Sequence, residues 1–143
     1  MLRKFSFCLF LILFLLISPL HAQTQLTTPE RGGAERKAII DALRAPVRKQ
    51  LGKDVIFKID HLKTQNGWAF LRGVPQQPDG TEMDYTGTIY GQRIAEGAFD
   101  NWICALLRKQ NGKWRVVKFV IGATDVVYEG WDVIYKAPSS IFR

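Results

Sequence analysis

The sequence predicts an α+β domain in which an N-terminal helix packs on a curved antiparallel sheet of about four strands. Helically spaced apolar residues occupy positions 34–51, and two Asn-Gly pairs, at 66–67 and 111–112, each separate runs rich in β-forming residues. Such pairs are the strongest short-range hairpin signal. The chain order of helix, hairpin, connector, hairpin and terminal segment is typical of helices gathered on an antiparallel sheet.

The first element is a helix that begins at Ala34. Four apolar residues recur in it at steps of three and four: Ile40, Leu43, Val47 and Leu51. This spacing gives one apolar stripe, as a helix lying on a sheet requires, and Gly52 supplies a stop signal. Because Pro46 interrupts the stripe, the sequence predicts either a kink or two short helices that meet there.

Both Asn-Gly pairs predict two-residue turns, because a type I′ turn needs positive φ at both central residues and Asn and Gly tolerate it. The first hairpin is expected to join strands at about 54–64 and 68–73, and the second strands at about 99–109 and 113–122. The similarity of the two hairpins fits either a duplication or shared turn chemistry.

The other segments carry weaker patterns. Proline and glycine predict a loop at 74–81, alternation predicts a short edge strand or an extended segment at 83–89, and 90–98 is expected to form a helical turn. An exposed edge strand at 83–89 would let two copies pair. Near the end of the chain, Thr124 is expected to cap a helix containing Trp131 and Ile134, with a strand at 126–128 as the alternative.

Residues 1–22 predict a secretory signal peptide. Arg3 and Lys4 precede an apolar run at 5–17, and Ala22 is a small residue at a cleavage point. The run is shorter than the about 20 residues of a spanning helix. We therefore expect cleavage, no stable membrane span in the mature chain, and a periplasmic or secreted location. Polar residues 23–33 are expected to be a flexible leader ahead of a single domain, 34–143.

Cleavage leaves a basic mature chain. It removes 22 of 143 residues, including two of the 20 Lys and Arg and none of the 13 Asp and Glu, which leaves 121 residues with 18 basic against 13 acidic side chains, a balance of +5. An exported basic chain meets anionic lipids, wall polymers and acidic proteins. The expected partner is an anionic envelope component or another protein, and nucleic acid is not expected.

Few reactive groups would remain after cleavage. The mature chain has one cysteine, Cys104, one histidine, His61, and two serines at 139 and 140. A serine nucleophile would lie at the end of the chain, and one Cys with one His cannot form a zinc site. Cys104 belongs to an apolar run that predicts a strand buried on both faces, where a thiol is inert. No catalytic residue, metal site or cofactor is expected.

His61 is the candidate pocket residue. A period of two along Val55, Phe57, Ile59 and His61 places the histidine on an apolar face and Asp60 on the opposite one, unless a bulge intervenes. A histidine at the mouth of an apolar concavity would act as a proton shuttle or a pH sensor. The alternative is a strand-end histidine bonded to backbone or water.

Three short segments carry a family resemblance: Leu-Leu-Arg-Lys at 106–109, Asn-Gly-Lys-Trp at 111–114 and Gly-Ala-Thr-Asp-Val at 122–126. Over about 34–142 the chain resembles uncharacterised small secreted bacterial proteins with a cystatin-like or nuclear-transport-factor-like cone. The resemblance implies a fold and no particular activity. Cone-fold enzymes such as polyketide cyclases and ketosteroid isomerases place carboxylates or histidine in an apolar pocket. The loose counterparts here are Asp60, His61, Asp100 and Asp125.

The preferred interpretation is an exported, non-catalytic binding protein of the bacterial envelope, with a stress-related or host-interaction role. The candidate binding residues surround the second turn: Arg108, Lys109, Lys113, Trp114 and Arg115. Aromatic rings beside basic groups suit interfaces, but the rings could equally fill the core while the charges solubilise the turn. The alternative function is a small-ligand-binding cone, either a lipid carrier or a cyclase-like or isomerase-like enzyme.

Overall fold

The computed structural model of the chain describes residues 25–143, so the predicted signal peptide lies outside the described residues. The elements in chain order are α1 (Ala34–Leu51), β1 (Ile56–Gln65), β2 (Trp68–Gln76), α2 (Gly91–Ala95), β3 (Ile103–Gln110), β4 (Lys113–Ile121), α3 (Trp131–Tyr135) and a 3₁₀ turn (Ser139–Phe142). The strands form one open antiparallel sheet in the order β1-β2-β3-β4, and α1 packs against it. The predicted α+β fold class is confirmed.

Helix α1 is continuous through Pro46, so of the two predicted alternatives, a kink or a split into two helices, the split is wrong. Its buried stripe consists of Ile39, Leu43, Val47 and Leu51, one residue in every four. The stripe begins at Ile39 and not at the predicted Ile40, which is only partly buried. Tertiary packing of this stripe offsets the hydrogen bond that a proline removes from a helix. As predicted, the helix ends at Gly52, whose φ of 67° suits glycine.

Both hairpin turns are confirmed. Asn66 and Asn111 have φ of 50°, and the following Gly67 and Gly112 have φ of 73° and 74°, as a type I′ turn requires. Strand β2 extends through Pro75, which was predicted to lie in a loop. The pairing between β2 and β3 ends at Gly73, so a proline beyond it has a neighbouring strand on one side only, where its missing N–H is tolerated.

Each face of the sheet has its own apolar cover. We call the side packed against α1 the helix face and the side covered by the residues after β4 the tail face. Strand residues facing α1 are Ala69, Leu71, Ala105 and Leu107. Those facing the C-terminal residues are Trp68, Phe70, Cys104 and Leu106, which join Trp131 and Ile141. The run 103–107 is fully buried, so the prediction that Cys104 lies in a strand buried on both faces is confirmed.

Both edge strands contain one extra residue. Pairing between β1 and β2 passes from Ile59 to His61, which leaves Asp60 as the extra residue. On β4, Lys118 and Val116 pair with successive residues of β3, which leaves Val117 extra. Such bulges shift the alternation of side chains by one position and discourage a further strand from pairing with the edge.

The connector follows one of its predicted alternatives, whereas the C-terminal segment differs from the predictions. Residues 83–89 are an extended segment followed by a turn, and among residues 25–143 the bridge between Gln76 and Glu82 is the one β-bridge that joins this region to the sheet. The predicted dimerising edge strand is therefore absent there, whereas α2 confirms the helical turn. Helix α3 begins at Trp131 after Gly130 and is not capped by Thr124. The alternative strand at 126–128 is also wrong, because this stretch leads into a turn.

Part of the predicted leader is attached to the sheet edge. Thr27 and Thr64 exchange two backbone hydrogen bonds of 2.9 and 2.8 Å, and their hydroxyl oxygens lie 2.7 Å apart. Pro29 is buried nearby. At these residues the leader extends the fold and covers the open edge of β1.

The bulge in β1 depends on a glycine in the neighbouring strand. A Cβ on Gly73 would lie 2.5 Å from the carbonyl oxygen of Lys58 and 3.0 Å from the Cα of Ile59, both backbone atoms. We expect Gly73→Ala to lower the free energy of unfolding by about 1–3 kcal/mol in urea denaturation. Gly91→Ala is the control, because nothing lies within 4 Å of a Cβ there. Equal effects of the two substitutions would contradict this account.

Candidate functional site

The second hairpin distributes its predicted binding residues over both faces of the sheet. Arg108 pairs with Arg115 and with Trp68, so all three lie on the tail face. Lys109 pairs with Trp114, one position further, and this pair lies on the helix face. The five predicted residues therefore do not form one continuous surface.

Lys109 and Trp114 attach the hairpin to α1. Trp114 is 8% exposed and belongs to the helix-face core. The Lys109 ammonium nitrogen lies 5.5 Å from the centre of the Trp114 ring and 3.2 Å from a carboxylate oxygen of Glu35 in the first turn of α1. Within the described residues the indole Nε1 of Trp114 has no hydrogen-bond partner. Trp114 therefore fills the core, as the second of the two interpretations of the hairpin rings stated.

The tail-face edge of the sheet carries a row of exposed basic side chains, here called the basic row: Arg108, Lys113, Arg115 and Lys118. Arg108 and Arg115 are direct cross-strand partners. Lys118 reaches the same face because Val117 is the extra residue of the β4 bulge. Without that bulge, alternation would put Lys118 on the helix face.

No acidic side chain neutralises the basic row. The ion pairs formed within residues 25–143 involve none of its four members. Like charges directly opposite each other destabilise an antiparallel pair. The guanidinium carbon of Arg108 lies 4.9 Å from the centre of the Trp68 ring, a cation–π contact that holds this arginine over the sheet. The result is a positive strip facing solvent.

The predicted orientation of His61 is wrong because of the β1 bulge. Phe57 and Ile59 pack on the helix-face core, whereas the His61 ring packs edge-on against Phe70 of the tail face at 5.6 Å between centroids. Its Nε2 lies 2.7 Å from the carbonyl oxygen of Ile141, and since a carbonyl can only accept, Nε2 donates. His61 thus connects β1 to the C-terminal turn, as the backbone-bonded alternative anticipated.

Asp60 lies on the tail face, as the alternation predicts, and lines a cleft that we call the Arg72 cleft. It has a volume of about 330 Å³, and its polar and aromatic lining consists of Asp60, Arg72, Trp102, Asp125 and Tyr128. Arg72 forms an ion pair of 3.2 Å with Asp60 and donates to the Tyr128 hydroxyl at 3.2 Å. Burial lowers the pKa of Arg72, but the hydrogen bond to Tyr128 and the charge of Asp60 outweigh it and raise the pKa overall.

Of the four loose counterparts to cone-fold catalytic groups, Asp60 and Asp125 line the Arg72 cleft. His61 lies outside that cleft and lines a groove of about 220 Å³ beside residues 28–31, which Asp60 also borders. Sequence reasoning missed Arg72, although a charged residue inside the otherwise apolar run 68–74 was an available signal. An arginine in such a run needs polar partners, and here the bulge and the C-terminal segment supply them.

The interior between α1 and the sheet is filled by a continuous apolar cluster. Four clefts along residues 25–143, of about 220 to 380 Å³, are all open to solvent. Among the same residues, no three His, Cys, Asp or Glu side chains are grouped so that they could hold a metal ion. No helix in this part of the chain has both the length and the apolar character needed to span a bilayer.

No protein family, curated protein or solved structure matches this chain. The resemblance to cystatin-like and nuclear-transport-factor-like proteins therefore stays a prediction, and the function must be argued from the geometry of the tail face.

The buried thiol predicts a pH dependence of stability. Burial raises the pKa of Cys104 to about 12, from an ordinary value of 9.0. A raised acid pKa leaves stability intact below pH 9 and reduces it from there toward pH 12, because only the unfolded thiol ionises in that range. We expect a slope of up to about 1.4 kcal/mol per pH unit from this group in alkaline urea denaturation. Cys104→Ala should flatten the curve; an unchanged slope would contradict the assignment.

Proposed function

We propose that the protein is an exported, non-catalytic binding protein of the bacterial envelope that recognises an anionic partner through the basic row. The observation that carries the proposal is the direct cross-strand pairing of Arg108 and Arg115, neither of which forms an ion pair within residues 25–143. The pairing of these two charges works against folding, because like charges in register lower the stability of the sheet. An external anion would remove the repulsion.

The chemistry of the row suits oxyanions. A guanidinium group presents a planar fork of donors that matches phosphate and carboxylate, and nearby ammonium groups add point charges. The strip lies on an exposed edge strand, so a flat or extended partner can approach it. Phosphate-bearing lipids, acidic wall polymers and acidic proteins have the required chemistry, and the predicted export of a basic chain would bring it to them.

The small-ligand alternatives have less support. A lipid carrier needs a large enclosed apolar pocket, and the space between α1 and the sheet is filled. An isomerase-like enzyme needs a carboxylate free to take a proton from its ligand. Asp60 already accepts hydrogen bonds from Arg72, and Asp125 lies in a wide, open cleft.

Charge neutralisation tests the basic row. We expect Lys113→Gln with Lys118→Gln to weaken binding to phosphatidylglycerol vesicles by about tenfold or more, since each basic residue near an anionic surface contributes about 1 kcal/mol. Sedimentation of the protein with the vesicles gives the affinity. The matched control is Lys49→Gln with Lys58→Gln, two exposed lysines on α1 and on the opposite edge strand. Equal losses in both variants would mean that net charge, and not the row, determines binding.

A single substitution separates binding from stability. Arg115→Glu would place opposite charges across the strand pair, so we expect the free energy of unfolding to rise by about 0.2–1 kcal/mol. Binding to the same vesicles should fall. Urea denaturation and vesicle sedimentation measure the two effects. A fall in both quantities would indicate that Arg115 has a structural role and would remove the main argument for the row as a binding surface.

A further inference from the structure

The Arg72 cleft is separate from the basic row. Arg72 and Gly73 pair with the first residues of β3, at the end of the strands opposite the two hairpin turns. The cleft lies between this end of the sheet and the residues that follow β4, with Val126 at its rim. Its volume of about 330 Å³ is within the range of small-molecule sites.

Several hydrogen-bond donors of the cleft already have partners within the protein. Arg72 directs Nε and Nη2 at Asp60, each 3.2 Å from the same carboxylate oxygen, and Nη1 at the Tyr128 hydroxyl. The indole Nε1 of Trp102 donates to the backbone carbonyl of Ala123. A phosphate or a carboxylate would have to compete with the Asp60 carboxylate for the charge of Arg72.

The cleft also contains a negatively charged hydrogen-bond acceptor that has no partner in the described part of the chain. The Asp125 carboxylate is exposed and forms no hydrogen bond or ion pair within residues 25–143. Two carboxylates and one guanidinium give the lining a net charge of −1, in a chain whose overall charge is +7. The net charge of the cleft is thus opposite in sign to that of the whole protein, and it favours a positively charged ligand.

Two aromatic rings complete the lining. Trp102 and Tyr128 meet edge to face at 6.2 Å between centroids. Tyr128 also packs against Phe70 at 4.8 Å and against Phe142 at 6.3 Å between ring centroids. Ring faces attract organic cations, and rings fixed by packing lose little freedom when a ligand binds.

We propose that the Arg72 cleft binds a small organic cation, with its ammonium group between the Asp125 carboxylate and the rings of Trp102 and Tyr128. The ion pair of Arg72 with Asp60 positions Tyr128 and keeps the guanidinium away from the ligand. This site does not rest on the basic row, and neutralising Lys113 and Lys118 leaves it unchanged.

Choline and its neutral isostere 3,3-dimethylbutan-1-ol test the proposal, because they share a shape and differ in charge. Each is titrated into the ¹⁵N-labelled protein while the Trp102 indole signal, assigned with Trp102→Phe, is followed by NMR. We expect a saturable shift with choline and an affinity about tenfold or more above that of the isostere. Equal affinities, or no shift with either choline or ethylammonium, would overturn the proposal.

Asp125→Asn provides the matched variant. The side chain is exposed and unpaired, so the fold should be retained, as the NMR signals of residues outside the cleft would verify. We expect choline affinity to fall by about fivefold or more while weak binding of the neutral isostere stays the same. Glu96→Gln, which removes an exposed carboxylate of the connector outside the cleft, should change neither. Unchanged choline affinity in Asp125→Asn, or tighter binding of inorganic phosphate than of choline, would refute the cation site.

Discussion

The constraint on which the rest of the structure depends is the burial of the two central strands on both faces. Phe70, Leu71, Leu106 and Leu107 are fully inaccessible to solvent, and burying each such side chain contributes about 1.5–3 kcal/mol. A sheet of this kind is stable only if both faces are covered. Helix α1 covers one and the C-terminal residues cover the other, and polar groups are left to the edges and the ends of the strands.

The bulges of the edge strands then determine which polar groups face the solvent together. In β1 the extra residue turns His61 to the tail face, on which Asp60 pairs with Arg72. In β4 the extra residue brings Lys118 to the same face as Arg115. The basic row therefore depends on a bulge for Lys118, and the Arg72 cleft lies beside the other bulge. The two candidate sites lie at opposite ends of the tail face and carry opposite charge.

This arrangement places the charged side chains at the surface and leaves few reactive groups in the interior. The thiol and the only described histidine are both used in packing: Cys104 lies within the tail-face core, and His61 connects β1 to the C-terminal turn. The recognition that we propose is therefore electrostatic. Oxyanions would meet the basic row, whereas organic cations would meet the unpaired carboxylate of Asp125.

Local chemistry in the sequence was enough to predict the helix, the Asn-Gly turns and the buried strand around Cys104, because φ requirements and apolar runs act on neighbouring residues. Only the tertiary structure decided on which face of the sheet each side chain of the edge strands lies. An inserted bulge residue leaves no mark on a period of two, so the side taken by His61 was predicted wrongly. Arg72 was missed because its partners Asp60 and Tyr128 lie 12 and 56 residues away in the sequence. Whether Pro46 would split α1, whether Ile39 or Ile40 would be buried, and where α3 would begin depended on packing against distant residues, which a sequence pattern does not contain.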